Sequence, residues 1–185
     1  MKRCLMSLAL CACFAVAAEE VGDLYGSLSY SRATIQDTSG LNLGTYHPTT
    51  LSVGLSVIAI KHLALDGYVF QGYKDTSNAL DANTAMTLQV KQGYGFNLHP
   101  YLPLSYQWGL YAKLGRQFGT SETVIRQNNA SSTTSAQFAT TVYGLGVSRY
   151  INSRWQLDTD YTKNKHQSDE STRTTGITVS LSYKL

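Results

Sequence analysis

The chain ends with the stretch Gly176-Ile-Thr-Val-Ser-Leu-Ser-Tyr-Lys-Leu185, which alternates between two kinds of side chain without an error. Alternate positions carry the apolar residues Ile177, Val179, Leu181, Tyr183 and Leu185. The positions between them carry glycine, small hydroxyl residues and one lysine. Successive side chains of a strand point to opposite faces, so this period of two predicts a β-strand with one apolar and one polar face.

The same pattern recurs upstream. Residues 86–98 alternate with an apolar face that only Gln92 interrupts, and residues 104–118 alternate in the same way. Five further segments are readable as strands: 22–32, 49–60, 63–74, 137–150 and 155–165. In 63–74 two phases compete, and we assign Leu65, Gly67 and Val69 to the outer face. The sequence therefore predicts eight strands.

The predicted connections alternate in length. Tight turns lie near 61–62, 99–103 and 151–154, whereas longer polar loops lie near 33–48, 75–85, 119–136 and 166–174. Within the third loop, residues 128–135 read as a mobile tip that faces solvent. Short turns at one end and long loops at the other are typical of outer-membrane barrels.

The contents of the polar face separate a membrane barrel from a soluble one. A soluble barrel shows water a surface rich in Lys and Glu, but here that face is mostly Gly, Ser, Thr, Asn and Gln. Such small side chains suit the narrow interior of an eight-stranded barrel. We therefore predict an all-β fold, an eight-stranded antiparallel up-and-down transmembrane barrel whose bulky face contacts lipid.

The aromatic residues support this orientation. The chain has 13 tyrosines and two tryptophans, and such rings concentrate at membrane–water boundaries. We assign two girdles, one beside the short turns and one near the long loops: Tyr101, Tyr106, Tyr150 and Trp155, and Tyr73 and Phe118.

The N-terminus predicts export. Lys2 and Arg3 precede an apolar run that ends at Val16-Ala17-Ala18, so we interpret residues 1–18 as a signal peptide and residues 19–185 as the barrel domain. A membrane anchor and a lipoprotein are the alternatives. The apolar run is short for an anchor, and it stays apolar where a lipoprotein would turn polar. All three cysteines lie within this run, which argues against disulfides in the rest of the chain. The net charge of the rest of the chain is nearly balanced, which argues against binding of nucleic acid.

Three stretches resemble a known group of proteins: Leu24-Tyr-Gly-Ser-Leu-Ser-Tyr30, Tyr143-Gly-Leu-Gly-Val147 and the terminal strand. The mature chain resembles the small outer-membrane barrels of the OmpA transmembrane-domain, OmpX and opacity-protein type. The resemblance implies that the terminal strand is the signal for the barrel-assembly machinery, although the chain ends in Leu185 where the usual residue is Phe. The residues that would form this signal are Gly176, Val179, Leu181, Tyr183 and Leu185.

Charged residues on the polar face predict an internal network. The assigned phases point five of them inward: Asp66, Lys91, Lys113, Asp158 and Asp160. Lys91 and Asp160 are expected in one layer, because each lies six or seven residues from its short turn. A charge in a narrow interior is costly unless it is paired. The resemblance implies a Lys–Asp network that plugs the barrel, and the alternative is a gate on a polar pathway.

Catalysis and metal binding have little support in the sequence. His166, Ser168 and Glu170 have the only local spacing that matches a lipid-modifying serine enzyme, but they lie in a very polar loop. The histidines are scattered without ligand spacing, and His62 and His99 are expected at the periplasmic headgroup boundary. We predict no catalytic residue, no metal site and no cofactor.

The function that follows is structural or interactive, with the exposed loops carrying adhesion or another surface role. The expected partners are outer-membrane lipids and lipopolysaccharide, the barrel-assembly machinery, and a host or surface ligand bound by the loops. We expect a monomer. The alternatives are a narrow, porin-like channel for small or hydrophobic solutes and a lipid A-modifying enzyme.

Overall fold

The computed structural model describes residues 22–37, 45–60, 62–80, 83–128, 130–166 and 172–185. The predicted signal peptide lies outside these ranges. The strands are β1 (Leu24–Asp37), β2 (Thr45–Tyr46), β3 (Thr49–Ile60), β4 (Leu63–Lys74), β5 (Thr76–Ala79), β6 (Thr84–Pro103), β7 (Trp108–Gln127), β8 (Ala130–Tyr150), β9 (Trp155–His166) and β10 (Thr172–Lys184). Within the described ranges, no helix is long and apolar enough to cross a membrane.

Eight of these strands form a closed antiparallel ring in the order β1-β3-β4-β6-β7-β8-β9-β10. β10 closes the ring on β1 in a register that runs from Tyr25↔Lys184 to Asp37↔Thr172. The backbone N–H of Leu185 continues this seam by donating to the carbonyl of Leu24 over 2.9 Å. The predicted fold class is confirmed, and the C-terminal stretch is the strand that completes it.

The apolar side chains lie on the outside of the ring. Leu28, Leu145 and Ile177 are more than half exposed, as are several of their neighbours. The inner wall carries small polar residues such as Ser29, Ser52 and Ser180. The phase assigned to 63–74 is also confirmed, because Leu65 is exposed while Tyr68 and Phe70 line the interior. This distribution inverts that of a water-soluble barrel.

Three strands are much longer than predicted. β6, β7 and β8 span 20, 20 and 21 residues. The predicted loop 119–136 is therefore a hairpin whose strands stay paired as far as Gln127↔Ala130. The turn contains Asn128 at φ 52°, a left-handed conformation that asparagine tolerates. Residues 130–135 are exposed as expected, but the assignment to a loop is wrong, because they pair with β7 and β-branched Thr and Val continue the ladder.

Two short strands cover part of the loop end. β2 pairs with β1, and β5 pairs with β6. They are tied together, since the side-chain amide of Asn78 donates to the carbonyl of Thr45 over 2.7 Å. The backbone N–H of His47 donates to the hydroxyl of Thr76 over 3.1 Å. The predicted loops 33–48 and 75–85 thus contain ordered pairing that narrows the mouth of the barrel.

Inward-facing aromatic rings lie against glycines of the neighbouring strand. A Cβ at Gly95 would overlap the ring of Tyr68, and one at Gly146 would overlap the ring of Tyr111. Both glycines are directly opposite their rings in the strand register. Further pairs of this kind are Phe70 with Gly93, Phe138 with Gly119, and Tyr101 with Gly109. The glycines thus make room for large rings in a narrow interior.

This packing predicts a difference between two glycine variants. Gly95→Ala forces its methyl group into Tyr68, so we expect the free energy of unfolding to fall by about 1–3 kcal/mol. Gly26→Ala is the control, because a Cβ there meets nothing closer than 4.0 Å and should change stability by no more than about 0.5 kcal/mol. Urea unfolding of the folded barrel in lipid vesicles measures both. Equal effects would contradict the packing role of Gly95.

Candidate functional site

The interior of the barrel encloses a cavity of about 600 Å³. It extends from Tyr25, Tyr101 and Tyr150 at the short-turn end to Ile35 and His166 at the loop end. An eight-stranded barrel is just wide enough to be filled by its own side chains or to hold one small ligand. The cavity is therefore the candidate site, and its lining decides what it can do.

Tyrosines narrow the cavity at the short-turn end. The rings of Tyr101 and Tyr150 meet edge to face with centroids 6.5 Å apart, and Tyr25 lines the same space. The assignment of Tyr101 and Tyr150 to the aromatic girdle is wrong. It followed from their closeness to the turns, but both occupy the inward phase of their strands. These residues form the floor of the cavity instead.

The other girdle residues lie on the outer surface. Trp155 packs on Tyr183 with ring centroids 4.8 Å apart, and Tyr106 is exposed in the turn that precedes β7. At the loop end, Tyr73 is exposed and Phe118 stacks on Tyr94 at 5.3 Å. Contact of these rings with the membrane boundary stays a prediction.

A buried ion pair crosses the cavity above the tyrosine floor. The Lys113 ammonium lies 2.6 Å from Asp160, and their side chains are only 12% and 1% exposed. The hydroxyl of Tyr111 donates to the same carboxylate oxygen over 3.1 Å. The inward placement of Lys113 and Asp160 follows the strand phase, as predicted from their alternation. A pair this deep is shielded from solvent screening.

Asp158 lies beside this pair but uses neutral partners. It accepts hydrogen bonds from the side chains of Gln156 at 2.7 Å and Ser182 at 3.3 Å. Gln156 also reaches the hydroxyl of Ser148 over 3.2 Å. No lysine or arginine of the described residues forms an ion pair with Asp158.

Asp66 has a partner that the sequence analysis missed. Its carboxylate lies 3.0 Å from the Nδ1 of His99, and the imidazole stacks on Tyr111 with centroids 5.1 Å apart. The expectation that His99 meets lipid headgroups is wrong, because His99 continues the inward phase of Asn97 on β6. Extending the inward phase of β6 two residues past Asn97 would have predicted that His99 faces the interior.

The prediction for Lys91 is wrong. β6 contains a bulge, since Val90 pairs with Ser121 while Gln92 pairs with Thr120. The extra residue reverses the faces of the strand, so Leu88 and Val90 line the cavity and Lys91 pairs with Glu122 at 2.8 Å. Lys91 does not share a layer with Asp160. The polar Gln92 within an apolar face was the sequence signal of this bulge.

Several buried polar atoms in the cavity wall have no hydrogen-bond partner among the described residues. They are Asp66 Oδ1, Asn97 Oδ1, His99 Nε2, Thr140 Oγ1, Asp160 Oδ1 and Asn164 Oδ1. An unpartnered buried acceptor costs on the order of 1–3 kcal/mol. The four carboxylate and amide oxygens among these atoms can only accept hydrogen bonds, so the wall offers acceptors to donor groups of a molecule in the cavity.

The remaining chemical candidates are only partly described. His166 lies in the cavity wall and its Nε2 is 3.0 Å from the hydroxyl of Thr174, whereas Ser168 and Glu170 fall outside the described residues. In the part of the chain that the structure covers, no three His, Cys, Asp or Glu side chains could hold a metal ion.

The residues of the predicted assembly signal occupy the closing strand. Val179, Leu181 and Leu185 are exposed on the outer face, and Tyr183 lies on that face under Trp155. Gly176 faces inward, toward the hydroxyl of Thr162. Recognition of this strand by the assembly machinery stays a prediction.

A closed ring of eight antiparallel strands with an apolar outer wall and a polar, charged interior defines an integral barrel of the bacterial outer membrane. The comparison with protein families agrees. The model of the outer membrane protein beta-barrel domain matches residues 4–184, and the chain belongs to this family.

Solved structures of other outer-membrane proteins have the same fold at low sequence identity. Ail, the attachment invasion locus protein of Yersinia pestis, has a TM-score of 0.60 at 13% identity, covering 89% of this chain and 99% of Ail; it was also solved with the heparin analogue sucrose octasulfate. Neisserial surface protein A has a TM-score of 0.54 at 15% identity, covering 88% and 97%. A major outer membrane protein from Thermus thermophilus has a TM-score of 0.60 at 9% identity, covering 88% and 99%. A comparison with curated proteins finds no match.

The two lysine pairs predict losses of stability of different size for the same substitution. Lys113→Met leaves Asp160 buried without its cation, so we expect the free energy of unfolding to fall by about 3–5 kcal/mol. Lys91→Met removes a partly exposed pair with Glu122, whose side chains are 39% and 30% exposed, and should cost no more than about 1 kcal/mol. Denaturant unfolding of the two variants in the same vesicles measures the difference. A larger loss in Lys91→Met would contradict the placement of the pairs.

Proposed function

We propose that this outer-membrane protein acts at the cell surface, where the hairpin formed by the ends of β7 and β8 binds ligands on other surfaces. The observation that carries the proposal is the exposure of every described residue from 130 to 137. Because consecutive residues of a strand face opposite sides, this exposure means that both faces of the hairpin meet solvent.

The lengths of the strands support the same conclusion. A strand needs about 9–11 residues to cross a bilayer, whereas β7 has 20 and β8 has 21. At the short-turn end β8 is joined to β9, a strand of 12 residues. About half of each strand is therefore available beyond the membrane as a stiff arm.

Charge and composition favour an anionic, hydroxyl-rich ligand such as a surface polysaccharide. The exposed β8 segment is rich in serine and threonine, and Arg126 is exposed at the end of β7. At the adjacent rim, Lys165 lies directly opposite Arg173 and both are exposed. Like charges in opposite positions destabilise a sheet, and a bound anion relieves that repulsion.

The comparisons support the outer-membrane location and specify no ligand. The name of Ail describes attachment and invasion, and Ail was solved in complex with sucrose octasulfate, a heparin analogue. At 13% identity this likeness concerns the fold alone. The exposed hairpin and the basic rim of this chain are what carry the proposal.

The proposal also includes the expected surroundings of a monomeric barrel. Outer-membrane lipids and lipopolysaccharide contact the outer wall, and the barrel-assembly machinery recognises the terminal strand. The family and the structural relatives are outer-membrane barrel proteins, and we assign no catalytic step to this chain.

Trimming the hairpin tests the surface role. Thr123 and Thr134 are paired in register, so Asn-Gly in place of residues 124–133 should close the shortened hairpin as a two-residue turn. Bacteria that produce the trimmed protein should bind immobilised heparin at least about tenfold less than bacteria with the full protein. Folding is checked by the faster migration of the unboiled protein on a gel.

Charge variants separate a specific surface from general stickiness. The double variant Lys165→Gln and Arg173→Gln should weaken heparin binding, and added salt should weaken the binding of the unchanged protein. Arg149→Gln is the matched control, since Arg149 is an exposed cation at the opposite end of the barrel, over Trp108. Undiminished binding by the trimmed protein would refute the proposal.

A narrow channel is a second candidate, which the cavity through the barrel favours. The tyrosine floor opposes a channel, because Tyr101 and Tyr150 obstruct the short-turn end.

Replacing Tyr101 and Tyr150 by alanine should raise the single-channel conductance in planar bilayers, since ions and water then have a path. Tyr106→Ala, in an exposed turn at the same end, should leave the conductance unchanged. A high conductance of the unaltered protein would instead favour the channel.

A further inference from the structure

We propose that the cavity inside the barrel is a binding site for a small organic cation, a protonated amine carried on a compact apolar or aromatic body. The proposal goes beyond the surface role and rests on the cavity lining alone. Three features carry it: an excess of carboxylates, unpartnered acceptors, and aromatic walls beside them.

The first feature is the balance of charge. Three carboxylates line the cavity, those of Asp66, Asp158 and Asp160. Lys113 is the lysine that faces them, and it is already paired with Asp160. The imidazole of His99 pairs with Asp66. Arg32 borders the cavity as well, but it is exposed and belongs to the outward phase of β1 with Leu28 and Tyr30. Even with a charged His99, the three carboxylates exceed the inward-facing cations by one, so the cavity attracts a positive ligand.

The second feature is the kind of atom left without a partner. Asp66 Oδ1 and Asp160 Oδ1 are buried carboxylate oxygens with no donor among the described residues. The Asp160 side chain is 1% exposed, and the Asn97 residue, also unpartnered through its Oδ1, is 5% exposed. Carboxylate and amide oxygens accept and cannot donate. A ligand that satisfies them must bring several N–H donors, and an ammonium group has three.

The third feature is the wall next to these acceptors. Tyr68 and Phe70 lie side by side with centroids 6.3 Å apart, and Phe70 stacks on Phe138 at 6.5 Å. Val142 completes this surface on β8. Aromatic faces attract cations and also pack against an apolar body. The volume of about 600 Å³ lies within the range of small-molecule sites.

Other occupants fit less well. An anion would meet the excess of carboxylates, and Lys113 is not free to receive it. A neutral apolar molecule could rest on Phe70 and Phe138 but would leave the buried acceptors without donors, at a cost of about 1–3 kcal/mol each. Because the tyrosine floor obstructs the short-turn end, the ligand would enter from the loop end.

Three probes with the same phenyl body test the proposal: 2-phenylethylammonium, 2-phenylethanol and 3-phenylpropionate. Binding to the folded full-length barrel in lipid nanodiscs is measured by equilibrium dialysis, with empty nanodiscs as the blank. The ammonium probe should bind saturably and at least about tenfold more tightly than the alcohol, and the carboxylate should not bind.

Variants locate the binding within the barrel. Asp158→Asn and Asp66→Asn each remove one internal carboxylate without changing volume and should weaken binding of the ammonium probe by about tenfold. Glu122→Gln makes the same change on the outer wall and should have no effect. Ser52→Trp fills the cavity opposite Phe70 and should abolish binding. Each variant is first shown to fold by heat-dependent migration on a gel.

The outcomes are decisive in both directions. Selective, saturable binding of the ammonium probe that falls in Asp158→Asn or Asp66→Asn and persists in Glu122→Gln supports the site. Equal binding of the alcohol would show an apolar pocket without charge selection and would overturn the proposal. The absence of saturable binding, or affinity unchanged in both aspartate variants, would overturn it as well.

Discussion

The structure depends on the pairing of β1 with β10. In hydrocarbon no water can satisfy an exposed N–H or carbonyl, so an open sheet would leave a row of costly unpaired groups along both edges. Antiparallel pairing from Tyr25↔Lys184 to Asp37↔Thr172 removes both edges together. Everything else follows from that closure, because a closed ring of eight strands fixes how much space lies inside and leaves the outer face to lipid.

Closure also explains the interior. The narrow bore favours small side chains, yet the molecule places five large rings within it by setting each against a glycine of the next strand. Charged groups lie between these rings. Lys113 and Asp160 form an ion pair, whereas Asp158 accepts hydrogen bonds from neutral side chains. The result is a bore with tyrosines at one end and a cavity of about 600 Å³, whose polar lining has hydrogen-bonding capacity that is incompletely used among the described residues.

Alternation in the sequence predicted the ring, the outer face and the inward placement of Asp66, Lys113, Asp158 and Asp160, because the side-chain period of a strand is fixed by its backbone. Alternation predicted the wrong face where the backbone departs from that period. Other residues were placed wrongly because they were assigned by their distance from a turn and not by the phase of their strand. The bulge at Lys91 reversed one strand, and Tyr101, Tyr150 and His99 were assigned by their closeness to turns. Partners such as His99 and Asp66 lie on different strands, so only the register between strands brings them together. The length of the β7–β8 hairpin was missed because a polar sequence can pair as strands in water as well as form a loop.

The bulge in β6 changes which face of the strand carries the apolar side chains. On its short-turn side the strand turns Tyr94 and Phe96 outward, as a wall in contact with lipid requires. On its loop side the same strand turns Leu88 and Val90 inward and leaves Lys91 with Glu122 outside, which is the arrangement of an ordinary protein in water. One additional backbone residue therefore lets a single strand present its apolar side chains outward on one side of the bulge and inward on the other.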